Sequence, residues 1–219
     1  MRSFIKYIVA RTYKPLLVKY LSGTRNYTYK NIKLQIPPQV FHPGFFFSTK
    51  LLLKYISSLP LDGKSFLELG AGSGLISIYA TKKGAQVTAI DIHSTAIQAL
   101  KKNRFINDVQ FSIIQSDLFK SVPQHAFDVI AVNPPYYKKK PVSDADYAWY
   151  CGEEGEYFQR LFKDLQNYIH KNSVVLMILC DGCDLEMIKM LASENFFKMN
   201  CVFKTKNLLE ENFIYKIES

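Results

Sequence analysis

The chain has 219 residues, of which 48% are hydrophobic and 21% are charged. This balance predicts one soluble globular domain and excludes a disordered or fibrous protein. Lys and Arg total 28 against 19 Asp and Glu, a net charge of +9. The excess belongs to the N-terminal quarter, because ten basic residues precede the first acidic residue, Asp62.

The number of cysteines and the hydropathy of the chain limit the cellular compartments in which we expect the protein. Four cysteines in a chain of this length do not form a disulfide framework. Cys180-x-x-Cys183 has no second pair nearby, so we favour packing over half a zinc site and predict no metal site. No apolar run approaches the ~20 residues of a membrane span, and charges interrupt any signal-peptide core. We therefore expect a cytoplasmic protein.

The first sixty residues differ from the rest of the chain. Apolar residues at positions 4–9 and 16–21 have helical spacing, and residues 31–36 alternate like a short strand. A helical pattern follows at 50–57, with Ser48 or Thr49 as a candidate N-cap. We expect residues 1–60 to form a basic N-terminal extension of helices and a short strand that packs on the core, and residues 61–219 to form the main domain.

From Lys64 onward, strand and helix patterns alternate. Strands are predicted at 65–69, 87–91, 111–115, 129–132 and 174–179, and helices at 75–83, 94–103, 156–170 and 185–195. Continuously apolar strands separated by helices are typical of a parallel sheet that is covered on both faces. Two closing strands, at 197–204 and 212–217, predict an antiparallel hairpin. The fold class is therefore α/β, with a seven-stranded, mostly parallel sheet and an antiparallel C-terminal hairpin.

A glycine loop follows the first strand of this region, at Gly70, Gly72 and Gly74. Glycines permit positive φ and close approach of a ligand, and the helix that follows offers free N–H groups. A loop of this kind can also be only a tight turn. It lacks the G-x-G-x-x-G spacing of dinucleotide binders, and Glu68 just before it would repel a pyrophosphate. We therefore favour a ligand with a cationic group near this point.

Aspartates end the next two strands. Asp91 is placed to accept hydrogen bonds from both hydroxyls of a ribose, and Asp117 from the amino group of an adenine. Each aspartate alone is as typical of a helix cap as of a ligand site. Three successive strand ends that offer suitable groups to one crevice favour the ligand site.

The fourth strand ends in Asn133-Pro134-Pro135-Tyr136. The side-chain carbonyl of Asn133 and the backbone carbonyl of Pro134 are two acceptors that suit a planar NH2 group with two donors. Tyr136 supplies an aromatic face on which a flat amide or base can stack. The alternative, a Pro-Pro turn in a surface loop, fits less well directly after an apolar strand.

In this order, the motifs resemble class I S-adenosylmethionine-dependent methyltransferases that modify amino nitrogens, of the NPPY type found in the small methyltransferase and HemK-like groups. The resemblance begins near Val40, where Phe41-His42-Pro43-Gly44 resembles the lead-in of these groups, and Tyr147-Ala148-Trp149 is similar to a HemK-like segment. The Glu-Pro element that many HemK proteins carry after NPPY is missing, and lysines occupy 138–140 instead. The N-terminal helical bundle of bacterial release-factor methyltransferases is not recognisable.

The resemblance implies a Rossmann-like fold and S-adenosylmethionine as the cofactor. The glycine loop would approach the methionine moiety, and the catalytic residues would be Asn133, Pro134, Pro135 and Tyr136. The implied cofactor contacts are Glu68 with the ammonium, Thr49 with the carboxylate, Asp91 with the ribose, Asp117 and the Leu118 backbone with the adenine, Ile92 as an apolar lid on the adenine, and Asn133, Gly70, Gly72 and Gly74 along the crevice.

We expect an N-methyltransferase whose acceptor is either an exocyclic amine of RNA or DNA or a protein glutamine amide, as in a release factor. The basic N-terminus favours a nucleic-acid or ribosome-associated substrate, whereas Trp149 and its neighbours favour the protein amide. The basic segment itself is open to three interpretations: a packed cap, a nucleic-acid surface or, less favoured, a membrane contact. Alternatives are a non-catalytic nucleic-acid-binding protein on the same fold and an NAD-dependent oxidoreductase, which Glu68 disfavours.

Overall fold

The computed structural model describes residues 19–45, 47–207 and 210–219. The helical segments expected at 4–9 and, for the most part, at 16–21 lie outside these residues. The described chain begins with a β-hairpin, β1 (Arg25–Tyr29) and β2 (Ile32–Ile36). The sequence pattern predicted β2 but missed β1, whose side chains are alternately exposed and half-buried and so carry little apolar signal.

The main sheet has seven strands in the order β5-β4-β3-β6-β7-β9-β8, and β3 to β7 are parallel. Strands β9 and β8 pair antiparallel at one edge, which confirms the predicted fold class. The order reverses at β3, where ligands bind in open α/β sheets, outside the carboxyl ends of the strands. The strands are β3 (Ser65–Leu69), β4 (Gln86–Asp91), β5 (Ser112–Gln115), β6 (Val129–Val132), β7 (Val174–Cys180), β8 (Lys198–Lys206) and β9 (Glu211–Glu218).

Helices cover both faces of the sheet. Hairpin β1–β2, α1, α2 and α3 contribute to the core on one face, and α4 and α5 to the core on the other. The helix predicted at 156–170 stops early, because the chain continues as a 3-10 turn at Gln166–Tyr168. The helices are α1 (Phe47–Ile56), α2 (Leu75–Lys82), α3 (Ser94–Ile106), α4 (Glu156–Leu165) and α5 (Leu185–Glu194), with a further 3-10 helix at Asp144–Ala148. None of the described helices is long and apolar enough to cross a membrane.

Asn103 of α3 and Asn107, the C-cap of this helix, dock the hairpin onto the domain. Asn103 accepts from the backbone N–H of Gln35 at 2.8 Å and donates to its carbonyl at 3.1 Å, and Asn107 makes the same pair of bonds with Lys33. These side chains imitate the edge of a neighbouring strand. Because Asn103 is fully buried, its hydrogen bonds also satisfy polar groups that water cannot reach. The hairpin is thereby fixed against α3.

Candidate active site

A cavity of about 490 Å³ opens at the carboxyl ends of β3, β4 and β6. This volume is typical of small-molecule sites. We call the wall formed by Glu68, the glycine loop, Asp91 and residues 116–118 the cofactor half. The acceptor half comprises residues 133–136, the N-terminal turn of α1 and the roof segment, residues 143–152.

The glycine loop contributes two of its three glycines to the cavity wall. Gly70 and Gly72 line the cavity at φ of +71° and +52°, and a Cβ on Gly70 would meet nothing within 4 Å. Gly74 differs from the expectation: it is absent from the wall, and a Cβ there would lie 2.7 Å from Leu100. Its role in the structure is therefore close packing of the loop against α3, not contact with a ligand.

Glu68 lies at the floor of the cofactor half and is almost fully buried. One of its carboxyl oxygens accepts hydrogen bonds from the backbone N–H of Ser77, at 2.8 Å, and from the Ser77 hydroxyl. Burial raises the pKa of Glu68 to about 8, although the bonds from Ser77 oppose the shift. A cation beside this carboxyl would favour its ionised form, which agrees with the ammonium contact expected from the sequence.

Asp91 holds the glycine loop against the end of β4. One carboxylate oxygen accepts from the Gly72 backbone N–H at 2.9 Å, and the other accepts from His93 at 3.0 Å. It is not a helix cap, because the N-cap of α3 is His93. Burial raises its pKa. Each oxygen retains a second lone pair, so Asp91 can still accept from two ribose hydroxyls.

The adenine end of the cofactor half contains a partner that sequence reasoning missed. Asp117 pairs with Arg160 of α4 instead of standing free for an amino group. Tyr157, also on α4, lines the same region, and burial raises the pKa of its hydroxyl. Leu118 and Ile92 line the cavity as expected. The sequence did not indicate a role for Arg160 and Tyr157, because the polar positions of α4 match the pattern of an ordinary solvent-exposed helix face.

The side chain of Asn133, in the acceptor half, is held in one orientation by two hydrogen bonds. Its amide nitrogen donates to the hydroxyls of Ser48 and Thr49, both at 3.2 Å. No group in the described residues donates a hydrogen bond to Asn133 Oδ1 or to the Pro134 carbonyl. The two carbonyls are therefore available to a bound donor.

The predicted N-cap at Ser48 or Thr49 is wrong. Helix α1 begins earlier, at Phe47, so both residues lie inside its first turn, where they are buried. Their hydroxyls are turned to Asn133 instead of capping the helix. Thr49 does line the cavity, but the structure gives its hydroxyl a protein partner in addition to the ligand contact expected from the sequence.

Pro134, Pro135 and Tyr136 also line the cavity, and burial raises the pKa of the Tyr136 hydroxyl. The next residue, Tyr137, connects this loop to the roof segment. Its N–H donates to the Trp149 carbonyl at 2.9 Å, and its carbonyl accepts from the Cys151 N–H at 3.0 Å. The roof segment is thus hydrogen-bonded directly to the Asn133 loop.

Two aromatic contacts hold the roof segment in place. The Trp149 ring lies 5.5 Å from that of Phe41, and the Tyr147 ring lies 5.9 Å from that of His93. The lysines at 138–140 follow the Asn133 loop and are exposed, with Lys140 at the cavity wall. Among the described residues, no group of three or more His, Cys, Asp or Glu side chains is placed to hold a metal ion.

Comparisons with known proteins identify the family of this chain. The family model described as "methyltransferase small domain" matches residues 31–150. A protein named as an N5-glutamine methyltransferase, from Methanocaldococcus jannaschii, is 37% identical over 155 residues, which are 68% of this chain and 76% of that protein.

Solved structures share the fold at low identity. The E. cuniculi Mtq2–Trm112 complex, described as responsible for methylation of the eRF1 termination factor, has a TM-score of 0.64 at 21% identity, covering 83% of this chain and 99% of that one. A T. thermophilus 16S rRNA N2 G1207 methyltransferase with AdoMet and guanosine has a TM-score of 0.60 at 18% identity, covering 88% of this chain and 50% of that one.

Proposed function

The chain belongs to the methyltransferase small domain family and is an S-adenosylmethionine-dependent methyltransferase, and from this premise we propose that it methylates the side-chain amide nitrogen of a glutamine in a protein. The observation that carries the proposal is the hydrogen bonding of Asn133. Its NH2 group is held by two hydroxyls, which leaves its carbonyl and that of Pro134 to accept. The two N–H bonds of a primary amide match two such acceptors.

The residues of the cofactor half fit S-adenosylmethionine. Space beside Gly70 lets a ligand approach the loop backbone, the buried carboxyl of Glu68 suits an ammonium, and Asp91 suits ribose hydroxyls. When bound, the cofactor supplies an electrophilic methyl group on a sulfonium. The aromatic and apolar side chains of Tyr147 and Trp149 in the roof segment line the same space.

In the acceptor half, Asn133 would orient a poor nucleophile. The lone pair of an amide nitrogen is delocalised into its carbonyl, so the reaction depends on alignment. Acceptance of both N–H bonds fixes the plane of the amide, and the acceptors interact most strongly as positive charge develops on nitrogen. Ser48 and Thr49 are positioning residues in this scheme, because they keep Asn133 Oδ1 turned to the acceptor.

The relatives support a protein acceptor. The similarity to the protein named as an N5-glutamine methyltransferase extends over most of both chains. The Mtq2–Trm112 complex, which has the same fold, is described as responsible for methylation of a termination factor. A second candidate acceptor is the exocyclic amine of a nucleobase. The exposed lysines at 138–140 favour it, since they would meet phosphates near the cavity.

One labelling experiment separates the two acceptors. Cell extract is incubated with the chain and cofactor labelled on the methyl group, and the label is followed into protein, RNA and DNA. Extract supplies any accessory subunit of the kind seen in the Mtq2–Trm112 complex. We expect label in a protein, on a glutamine identified by peptide mapping, and labelling that is about 10²–10³-fold slower with Asn133→Ala. Label in RNA or DNA alone would overturn the glutamine proposal in favour of the nucleobase.

A further inference from the structure

Two cysteines lie together behind the Asn133 loop. Cys180 ends β7 and Cys183 precedes the N-cap of α5, and the turn between them brings their sulfurs to 3.8 Å. The backbone N–H of Cys180 donates to Cys183 Sγ at 3.2 Å, and that of Cys183 to the Cys180 carbonyl at 3.1 Å. A disulfide has an S–S length of about 2.05 Å, so the sulfurs would have to approach by about 1.8 Å.

The two sulfurs differ in access and in acidity. Cys180 is buried, whereas Cys183 is half-buried next to the exposed Asp181 and Gly182. The hydrogen bond between the two thiols lowers the pKa of Cys180, although burial opposes this, and together with burial it raises the pKa of Cys183. Because Cys183 is the more accessible sulfur, an incoming reagent meets it first, and Cys180 is the thiolate that attacks afterwards.

The turn that carries this cysteine pair lies beside the segment that joins the Asn133 loop to the roof. A Cβ on Gly182, between the cysteines, would lie 3.4 Å from the Tyr137 ring. Asp184, directly after Cys183, pairs with Lys138 at 3.5 Å. Movement of Cys183 toward Cys180 would therefore act on two consecutive residues that follow Tyr136.

We propose that Cys180 and Cys183 form a reversible disulfide with a low-molecular-weight disulfide as oxidant, and that this bond slows methyl transfer by displacing Tyr137 and the roof segment. Cys183 attacks the small disulfide and releases one small thiol, which takes the Cys183 proton. Cys180 then attacks the Cys183 sulfur and releases a second small thiol. The two protein thiols lose two electrons and two protons, and the small disulfide gains them. The second part of the proposal rests on the methyl-transfer function above; the first does not.

The experiment treats the full chain with oxidised glutathione and then alkylates the remaining thiols. Peptide mapping should find a link between Cys180 and Cys183 that a dithiol reverses. Trp149 is the only tryptophan of the chain, so tryptophan emission reports on the roof segment alone. We expect the emission to change on oxidation and methyl transfer to fall about tenfold, since small misplacements near the reacting groups are costly.

Cys183→Ser should remove the emission change and the loss of activity, and Cys180→Ser should do the same. The matched control is Cys201→Ser, because Cys201 is exposed on β8, and this variant should respond like the unmodified chain. No link, a link to Cys151, or a link without an emission change would overturn the proposal. A link with the emission change but no glutamine methylation by the reduced chain would instead refute the proposed function and leave the disulfide standing.

Discussion

In the cofactor half of the cavity, the carboxyl groups of Glu68 and Asp91 hold neighbouring backbone in place, whereas in the acceptor half Asn133 is itself held by Ser48 and Thr49. Most of the cofactor half is local, because strand, loop, helix and next strand follow one another in the chain, and only its adenine end is completed by a distant element, α4. The acceptor half is assembled from α1, the end of β6 and the roof segment, which are distant in sequence.

From this difference we infer that cofactor binding and methyl transfer depend on different parts of the structure. The cofactor half can stay organised when the acceptor half is disturbed, since Glu68 and Asp91 accept hydrogen bonds from Ser77, Gly72 and His93, none of which belongs to the acceptor half. Changes in the acceptor half should therefore lower the rate of methyl transfer and spare cofactor affinity. Changes in the glycine loop should do the reverse.

The largest effect is expected from Asn133→Ala. Loss of one acceptor that acts mainly in the transition state should lower turnover by about 10²–10³-fold. Cofactor affinity should stay within about twofold, because the cofactor half keeps its hydrogen bonds. Single-turnover rates and binding calorimetry on one preparation check both parts. Equal losses in rate and affinity would show that the two halves are not separate.

Gly70→Ala should weaken cofactor binding by about tenfold, the equivalent of about 1.4 kcal/mol. The matched control is Gly63→Ala. The two glycines have φ of +71° and +69°, and neither has an atom within 4 Å of an added Cβ, but only Gly70 lines the cavity. Both variants should lose about 1–2 kcal/mol of stability in denaturant unfolding. Similar cofactor affinity in both variants would remove Gly70 from the binding site.

Removal of both hydroxyls, with Ser48→Ala and Thr49→Val together, should lower kcat by several-fold to about tenfold. The reason is that Asn133 loses its orienting partners. The double variant Ser48→Ala with Thr49→Ser keeps one hydroxyl, so it should be faster than Ser48→Ala with Thr49→Val. Ser57→Ala, whose exposed hydroxyl bonds only to the Lys54 carbonyl, is the control. A rise in KM without a change in kcat would contradict a positioning role.

The last effect concerns stability and not turnover, and it involves pH and Glu68. Its pKa is about 8 in the fold against an ordinary 4.5, so the folded state binds the extra proton between these values. Stability should therefore fall as pH rises from about 4.5 to 8, by up to about 1.4 kcal/mol per pH unit. Urea unfolding at several pH values should show a shallower dependence for Glu68→Gln. Glu194→Gln, on the exposed side of α5, should keep the original slope.

The sheet and the strand-end residues were predictable from the sequence because each signal is local. Apolar runs of strand length predicted the seven strands of the sheet. Residues at the carboxyl ends of parallel strands meet at one edge of the sheet. Glu68, Asp91 and Asn133 reach the cavity for this reason. The resemblance to a family added the identity of the cofactor.

Other features could not be predicted because they depend on which faces meet in three dimensions. Arg160 reaches Asp117 only once α4 packs across the sheet edge, and Asn103 clamps β2 only once α3 lies beside it. Gly74 is the reverse case, a residue that the motif assigned to the ligand site. In the structure it packs against α3, where an added Cβ would meet Leu100. Hydroxyls with capping propensity, such as Ser48, were assigned to a local partner although a distant one was available.

The central claim, that Asn133 Oδ1 and the Pro134 carbonyl receive the planar amino group, is tested most directly by a crystal structure of the chain with S-adenosylhomocysteine and an acceptor glutamine peptide. The account predicts the amide nitrogen at hydrogen-bond distance, within about 3.2 Å, of both oxygens. An amide nitrogen that hydrogen-bonds elsewhere, with Asn133 Oδ1 occupied by a group of the protein, would contradict it.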